Sequence, residues 1–334
     1  MIIGRRQVVA AGATWPLTML PGAVSAALRR VTIGANPAGT NFNVIAGGFA
    51  QLIQRRLGIP SIVRPYAGSS VYVPLLHRGE ITLGINAGID SYLAFRGEPP
   101  YGAPMTRIRA LMAVYPLGYA YWVKASSGLR SIEELRGRRV VLNYRSLVQL
   151  SRLNRAVLAT AGLGEGDIEV VTAAGLPEGA SLVAEGRADA CAMGYRLPLV
   201  LQMHATIPGG LRFLELGGDE AKVAEIMPGA WVEAIEPSET SVGIDGPMRV
   251  AMYDTYLTAG LHIEDEDAYR LVELLHGAWA ELQSDYTLLA DVPSSSLVPS
   301  NHPLPYHAGA AAYFRDAGAW TADHERTQAA LLGG

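Results

Sequence analysis

Five short runs of small and polar residues carry the chemistry of this sequence: Asn36-Pro37-Ala38-Gly39-Thr40-Asn41, Ala67-Gly68-Ser69-Ser70, Asn86-Ala87-Gly88, Asn143-Tyr144-Arg145-Ser146 and Gly194-Tyr195-Arg196. They supply amides, hydroxyls, phenols and two guanidiniums, a set suited to recognition. In the first run a helix start leaves backbone N–H groups without partners beside Thr40 and Asn41, so an anion could dock there. A plain N-cap at Thr40 or Asn41 explains the same residues. Arg145 could hold a carboxylate through two parallel N–H bonds while Tyr144 stacks on a flat solute. An ordinary surface ion pair is the competing role for Arg145. The candidate ligand-binding residues are Asn36, Gly39, Thr40, Asn41, Ser69, Ser70, Asn86 and Tyr115 in one half of the chain. In the other they are Tyr144, Arg145, Ser146, Tyr195 and Arg196. Any of them could instead be a cap or turn former.

Other chemistries lack their signatures. There is no Gly-x-Ser-x-Gly elbow, no His-Glu-x-x-His, and no Gly-x-Gly-x-x-Gly after the first apolar segment. Cys191 is the single cysteine, which excludes an intrachain disulfide and any cysteine-based zinc site. The only lysines, Lys124 and Lys222, lie outside any Gly-rich phosphate loop. His302 and His307 flank a Pro-containing turn without a third ligand at metal spacing, so they read as structural. No cofactor and no metal are expected. A formal charge of -4 gives no electrostatic case for nucleic acid. With 334 residues, 49% of them hydrophobic and 17% charged, the chain has enough for two globular domains.

The runs need elements to position them, and the apolar periodicity supplies these. Val31 to Ala35 reads as a buried strand, followed by a helix with Val44, Ile45, Phe49, Leu52 and Ile53 at helical spacing. Ile62 to Tyr66 and Ile81 to Ile85 are further strands, with a helix through Val71 to His77 between them. In a doubly wound sheet the carboxyl ends of parallel strands share one edge, so three of the polar runs should meet on one rim. Ile108 to Val114 and Tyr119 to Val123 read as two strands, with Trp122 as packing. Ser131 and Glu134 form a capping box. After it, Val140 to Leu142, a helix from Leu147 to Ala161 and Ile168 to Val171 begin a second unit in the same style.

The segment from Leu76 to Ala87 can be laid over Val183 to Gly194: each ends a helix at a glycine and enters a buried strand that exits into small residues. Two equivalent rims facing each other imply a ligand held between them. Met248 to Thr258 should return the chain beside Tyr119 to Lys124 as a two-strand hinge. Asp265 to Gln283 reads as one amphipathic helix and Ala308 to Arg315 as a terminal one. The expected plan is an α/β fold of two doubly wound sheets. Lobe 1 takes 31–122 and 248–318, lobe 2 takes 123–247, and 319–334 is a peripheral tail.

Residues 1–27 read as an export signal, with Arg5 and Arg6, an apolar stretch interrupted by Pro16, and small residues before Ala27. The arginine pair resembles a twin-arginine signal, although Val8 and Ala10 depart from that motif. Cleavage near Ala26 removes both arginines and takes the charge from -4 to about -6.

In order and spacing, a further set of pieces resembles the TAXI family, the solute receptors of a class of tripartite (TRAP) transporters. They are Ile33-Gly34 to Gly39-Thr40 with Ala46-Gly47-Gly48, Ala67 to Ser70, Gly79 to Gly84, Leu129 to Ile132 with Gly137 to Val140, Gly186 to Ala190, and Leu304 to Ala310 with Tyr313-Phe314. The resemblance spans Val31 to Gly318. It implies a two-lobed type II periplasmic binding fold that closes on a small organic acid and delivers it to membrane permease subunits, the receptor acting as a monomer in the periplasm. Tyr144 and Arg145 stand where such proteins carry a Gly- and Ser-rich turn, so the solute is expected to differ from the family's common ones. A secreted enzyme on the same frame is the rival reading. A regulator's sensor domain would need a DNA-binding or membrane-spanning segment, which the sequence does not show.

Overall fold

The computed structural model describes Met1, residues 28–238 and residues 241–333, so the export signal expected over 1–27 falls, from residue 2 on, outside the described residues. The first half runs β1 (Val31–Ala35), α1 (Asn41–Leu57), β2 (Ser61–Pro65), α2 (Ser69–Arg78), β3 (Leu83–Ala87), α3 (Gly88–Arg96) and the long β4 (Ile108–Lys124). The second half follows with β5 (Arg139–Tyr144), α4 (Val148–Ala159), β6 (Glu169–Ala173), α5 (Leu176–Ala184), β7 (Ala190–Gly194), α6 (Pro198–Thr206), β8 (Leu211–Phe213), α7 (Ala221–Ile226) and β9 (Ala230–Ile235). Then β10 (Met248–Gly260) returns to the first half, where α8 (Asp265–Gly277), α9 (Trp279–Asp285), α10 (Ala308–Asp316) and α11 (Ala322–Leu332) close the chain.

The strand order is β2-β1-β3-β10-β4-β7-β5-β6, with β8 on β4 and β9 on β10. Read outward from the central pair, β3-β1-β2 and β7-β5-β6 are the same arrangement. Each is parallel within itself, and β3 and β7 lie antiparallel to β10 and β4. The internal echo of the sequence is thus real: Gly79 and Gly186 end the preceding helical segments at φ +77° and +74°, a conformation suited to glycine, and β3 and β7 follow.

The expected two sheets joined by a hinge form one ten-stranded hydrogen-bonded sheet. The reason is length: β4 and β10 span 17 and 13 residues, enough for each to serve both halves. The two strands expected at 108–114 and 119–123 are one for the same reason. Pro116, which has no N–H to give the ladder, sits where the register shifts between Asp254 and Tyr256. At that bulge the Tyr115 N–H donates to Thr255 Oγ1 at 3.2 Å, and the Thr255 hydroxyl donates to Tyr115 O at 2.7 Å.

Two further expectations change. The helix of 265–283 is two helices, with a break at Ala278 that lets Trp279 turn inward and donate its Nε1–H to Val292 O at 2.8 Å. The capping box expected at Ser131 and Glu134 is present and starts a single short turn. The tail after Ala319 forms α11, whose Gln328 bonds both backbone groups of Tyr306 and whose buried His324 reaches Val298 O, so it packs as part of the body. Trp122 is fully buried. His302 and His307 are buried and bonded to the carbonyls of Leu304 and Ile263. Among the described residues no group of three metal-binding side chains occurs, and no helix is long and apolar enough to cross a membrane.

Candidate functional site

The carboxyl ends of β1, β3, β5 and β7 face one cleft between the halves, the place where open α/β sheets put ligands. Its inner part is a cavity of about 30 Å³ lined from the first half by Asn36, Thr40, Asn41, Phe42 and Ala87, and from the second by Leu147, Gln149, Leu150 and Leu197. Leu117, Tyr119 and Tyr253 of the crossing strands form its floor. A wider outer cavity of about 390 Å³ shares Asn41, Leu117 and Gly194 with it. That outer part adds Tyr115, Tyr195, Arg196, Glu233, Met252 and Asp291.

Local structure explains the first rim. Gly39 takes φ +84°, which turns the chain so that Thr40 can cap α1, accepting from the Asn43 N–H at 3.4 Å. Asn36 is thereby left at the strand end, 6% exposed, with its Oδ1 unpartnered among the described residues. At the floor, the Tyr115 backbone is held by Thr255 and its hydroxyl is likewise buried without a partner. Buried polar atoms are almost always hydrogen-bonded, so oxygens left open around a cleft point to a polar occupant. Arg196 lies with its Cζ 5.6 Å from the Tyr195 ring centre, and its Nε is buried without a partner among the described residues.

The halves touch directly. Gln149 Nε2 donates to Ser69 Oγ at 3.1 Å, and Arg152 pairs with Glu98 at 2.7 Å. At Gly68 any Cβ would lie 2.0 Å from Ser146 O. Behind Ser69 the Asp90 carboxyl is fully buried; that burial pushes its pKa up to about 6, against hydrogen bonds from Ser69 and Tyr101. Asp254 is raised to about 6 by burial alone, and neither carboxyl lines the two cavities.

Of the thirteen residues singled out from sequence, six line the cleft: Asn36, Thr40, Asn41, Tyr115, Tyr195 and Arg196. Ser69 supports it from behind through Gln149. The remainder need correction. Asn86 is fully buried; its Nδ2 donates to Ser91 at 2.8 Å and its Oδ1 lies 3.0 Å from the Thr258 hydroxyl, which ties β3 to β10. Tyr144 is turned into its own half, where its hydroxyl donates to Ala192 O at 2.9 Å, so its ring is core and not a stacking face. Arg145 is exposed and lines neither cavity. Ser146 spends its hydroxyl on Ala174 O at 2.7 Å, Gly39 serves the turn, and Ser70 lies outside both cavities. Gln149, Leu147 and Leu150 went unread because they sit in a helical pattern. The lone amide of Gln149 between Val148 and Leu150 was the available signal.

The chain belongs to the NMT1-like family, whose model matches residues 33–318. No curated protein matches the sequence. Among solved structures it is similar to a periplasmic transporter protein, at 15% identity, 91% of this chain, 96% of that one and a TM-score of 0.56. It is also similar to PhnD1 from Prochlorococcus marinus (MIT 9301) in complex with methylphosphonate, at 12% identity, 79% and 88% coverage and a TM-score of 0.52. An ancestral arginine-binding protein bound to arginine matches at 15% identity, 78% and 97% coverage and a TM-score of 0.50. These likenesses define the class of fold: the type II, flytrap-like arrangement of periplasmic binding proteins.

Proposed function

We propose that the protein is an extracytoplasmic solute-binding receptor that closes its two lobes on a small organic solute and presents the closed form to membrane permease subunits, with no catalytic step of its own. The lobes are 31–122 with 248–318, and 123–247, hinged where β4 and β10 pass between them. The observation that carries this reading is the cleft itself: four strand ends converge on two joined cavities edged by unpartnered, buried polar atoms. The solute-binding character of the similar structures supports it. The order of the TAXI-like sequence pieces favours a TRAP-type permease as partner and the periplasm as the place of work. An acidic group on the solute has Arg196 of the outer cavity to meet it.

The mechanism is closure of one lobe over solute docked on the other, with closure drawing its free energy from contacts made only in the closed form. A melting-temperature screen against dicarboxylates, amino acids, keto acids and amides identifies binders, since binding to the folded state alone raises the midpoint. Small-angle scattering with a saturating binder should then show a smaller radius of gyration. A binder that leaves the radius unchanged, or is converted to product on incubation, ends the receptor reading.

A further inference from the structure

The inner cavity has no charged side chain in its lining. Its polar members are Asn36, Thr40, Asn41, Tyr119, Gln149 and Tyr253. Two of these hydroxyls are committed to the protein, Thr40 donating to Pro37 O at 2.7 Å and Tyr119 to Ala192 O at 3.0 Å. Two fully buried side-chain oxygens of this lining are without partners among the described residues: Asn36 Oδ1 and Gln149 Oε1, on residues 6% and 2% exposed.

The orientation of Gln149 follows from its neighbours. Its hydrogen bond to Ser69 runs from Gln149 Nε2 to Ser69 Oγ, beside the buried Asp90 carboxyl to which Tyr101 donates at 2.9 Å. The Ser69 oxygen accepts at 3.1 Å, and the Gln149 amide turns its N–H toward it. The amide oxygen of Gln149 is then the atom left without a partner. A carboxylate placed against Gln149 Oε1 would set oxygen against oxygen, with no charged side chain in the inner lining to offset it, Arg196 lying in the outer cavity. An ammonium would lack a counter-ion for the same reason. The space, about 30 Å³, admits a group of roughly two water-sized volumes.

We propose that the inner cavity selects an uncharged hydrogen-bond donor, of the kind a primary amide or urea nitrogen offers, and that Gln149 is the specificity-determining residue that accepts from it. This rests on the receptor reading of the cleft and sharpens its substrate class: the solute enters with a neutral donor innermost, and any acidic group stays outside near Arg196.

The test uses the full chain and three probes at matched concentration: acetamide, acetate and methylammonium. Acetamide is expected to move the Gln149 side-chain amide resonance of nitrogen-labelled protein and to raise the melting temperature, while acetate and methylammonium do neither. Gln149→Leu should lose the acetamide response while keeping a cooperative melt, and Gln149→Glu should transfer the response to methylammonium. A response to acetate, or silence toward acetamide in the native chain, overturns the inference. If another solute from the wider screen still compacts the protein in that case, the receptor reading stands and only the neutral-donor assignment falls.

Discussion

The corners after β1 and β5 occupy equivalent places in the two halves, yet they meet the cleft differently. After β1 the turn residues Asn36, Thr40 and Asn41 line the cavity, because Gly39 bends the chain and Thr40 starts α1 at the rim. After β5 the turn itself is spent on its own half: Tyr144 bonds to Ala192 O, its N–H takes Ser151 Oγ at 2.8 Å, and Ser146 bonds to Ala174 O. The cleft is lined instead by the next residues, Leu147, Gln149 and Leu150. The supports differ as well. The first rim stands in front of a buried carboxyl, Asp90, whereas the second rests on the neutral network of Tyr144, Tyr119 and Asn154. Equivalent topology therefore places the corners, and local hydrogen bonding decides which atoms reach a ligand.

The largest test of this contrast is Tyr144. If its ring is core, Tyr144→Ala should cost about 3–5 kcal/mol of folding stability, the usual range for emptying a buried aromatic site. Tyr144→Phe should cost about 1 kcal/mol, one hydrogen bond, and leave solute affinity in place. Urea melts and binding isotherms on both variants decide it. Retained stability with lost binding in Tyr144→Phe would put the phenol back in the cleft.

Next in size is the pH dependence, which separates the two supports. Asp90 in the folded protein holds its proton up to about pH 6, while in the unfolded chain it releases it near the ordinary carboxylate value. The folded state thus binds the extra proton between the two values, so this group favours folding fully below about pH 4 and loses that contribution as pH rises through 6. The loss is roughly 3 kcal/mol. Asp90→Asn should be more stable than the parent near neutral pH and show a flatter profile of urea midpoint against pH. A parent whose stability rises from about pH 4 to pH 7 in step with the variant would remove Asp90 as the cause.

The facing surfaces come third. Gly68 has φ 175°, an extended backbone that any residue adopts, so a substitution there acts through space alone. Gly68→Ala places its Cβ against Ser146 O and should wedge the lobes apart. An overpacking cost of about 1–3 kcal/mol confined to the closed form lowers affinity by roughly 5- to 150-fold with little change in melting temperature. Scattering should show a larger radius of gyration with solute than the parent gives. An unchanged isotherm would mean that the corners do not meet in the working closed state.

Much of the architecture was legible because it is written in short-range pattern. Short buried apolar strands, helical apolar spacing and the glycines at 79 and 186 place the repeated units, and the strand-end rule brings Asn36, Thr40 and Asn41 from one half and Tyr195 and Arg196 from the other to one cleft. What could not be read is contact across the fold. Nothing near Tyr144 in sequence announces Ala192, 48 positions away, as its partner. Nothing near Asn86 announces Thr258, 172 positions away. The single sheet was hidden for the same reason, since the pairing of Pro116 with Asp254 joins distant residues over a bulge. Gln149 was missed because an amide in a helical stretch reads as solvent-facing until Ser69 is placed beside it.

Arg145 gives the smallest effect and the sharpest contrast with its sequence reading. A guanidinium gripping a carboxylate in the cleft would make Arg145→Ala cost about 1.5–3 kcal/mol of binding, as for a charged hydrogen bond. Here the side chain is exposed and outside both cavities, so the same change should alter affinity and stability by less than about 0.5 kcal/mol each, as surface substitutions do. Arg196, which does line the outer cavity, supplies the control: if the solute carries an acidic group, Arg196→Ala should weaken it while Arg145→Ala does not. Isothermal titration with an acidic binder and with its amide counterpart separates the two arginines. A loss confined to Arg145→Ala would show that the corner after β5 turns toward the ligand after all, and the difference between the halves would vanish with it.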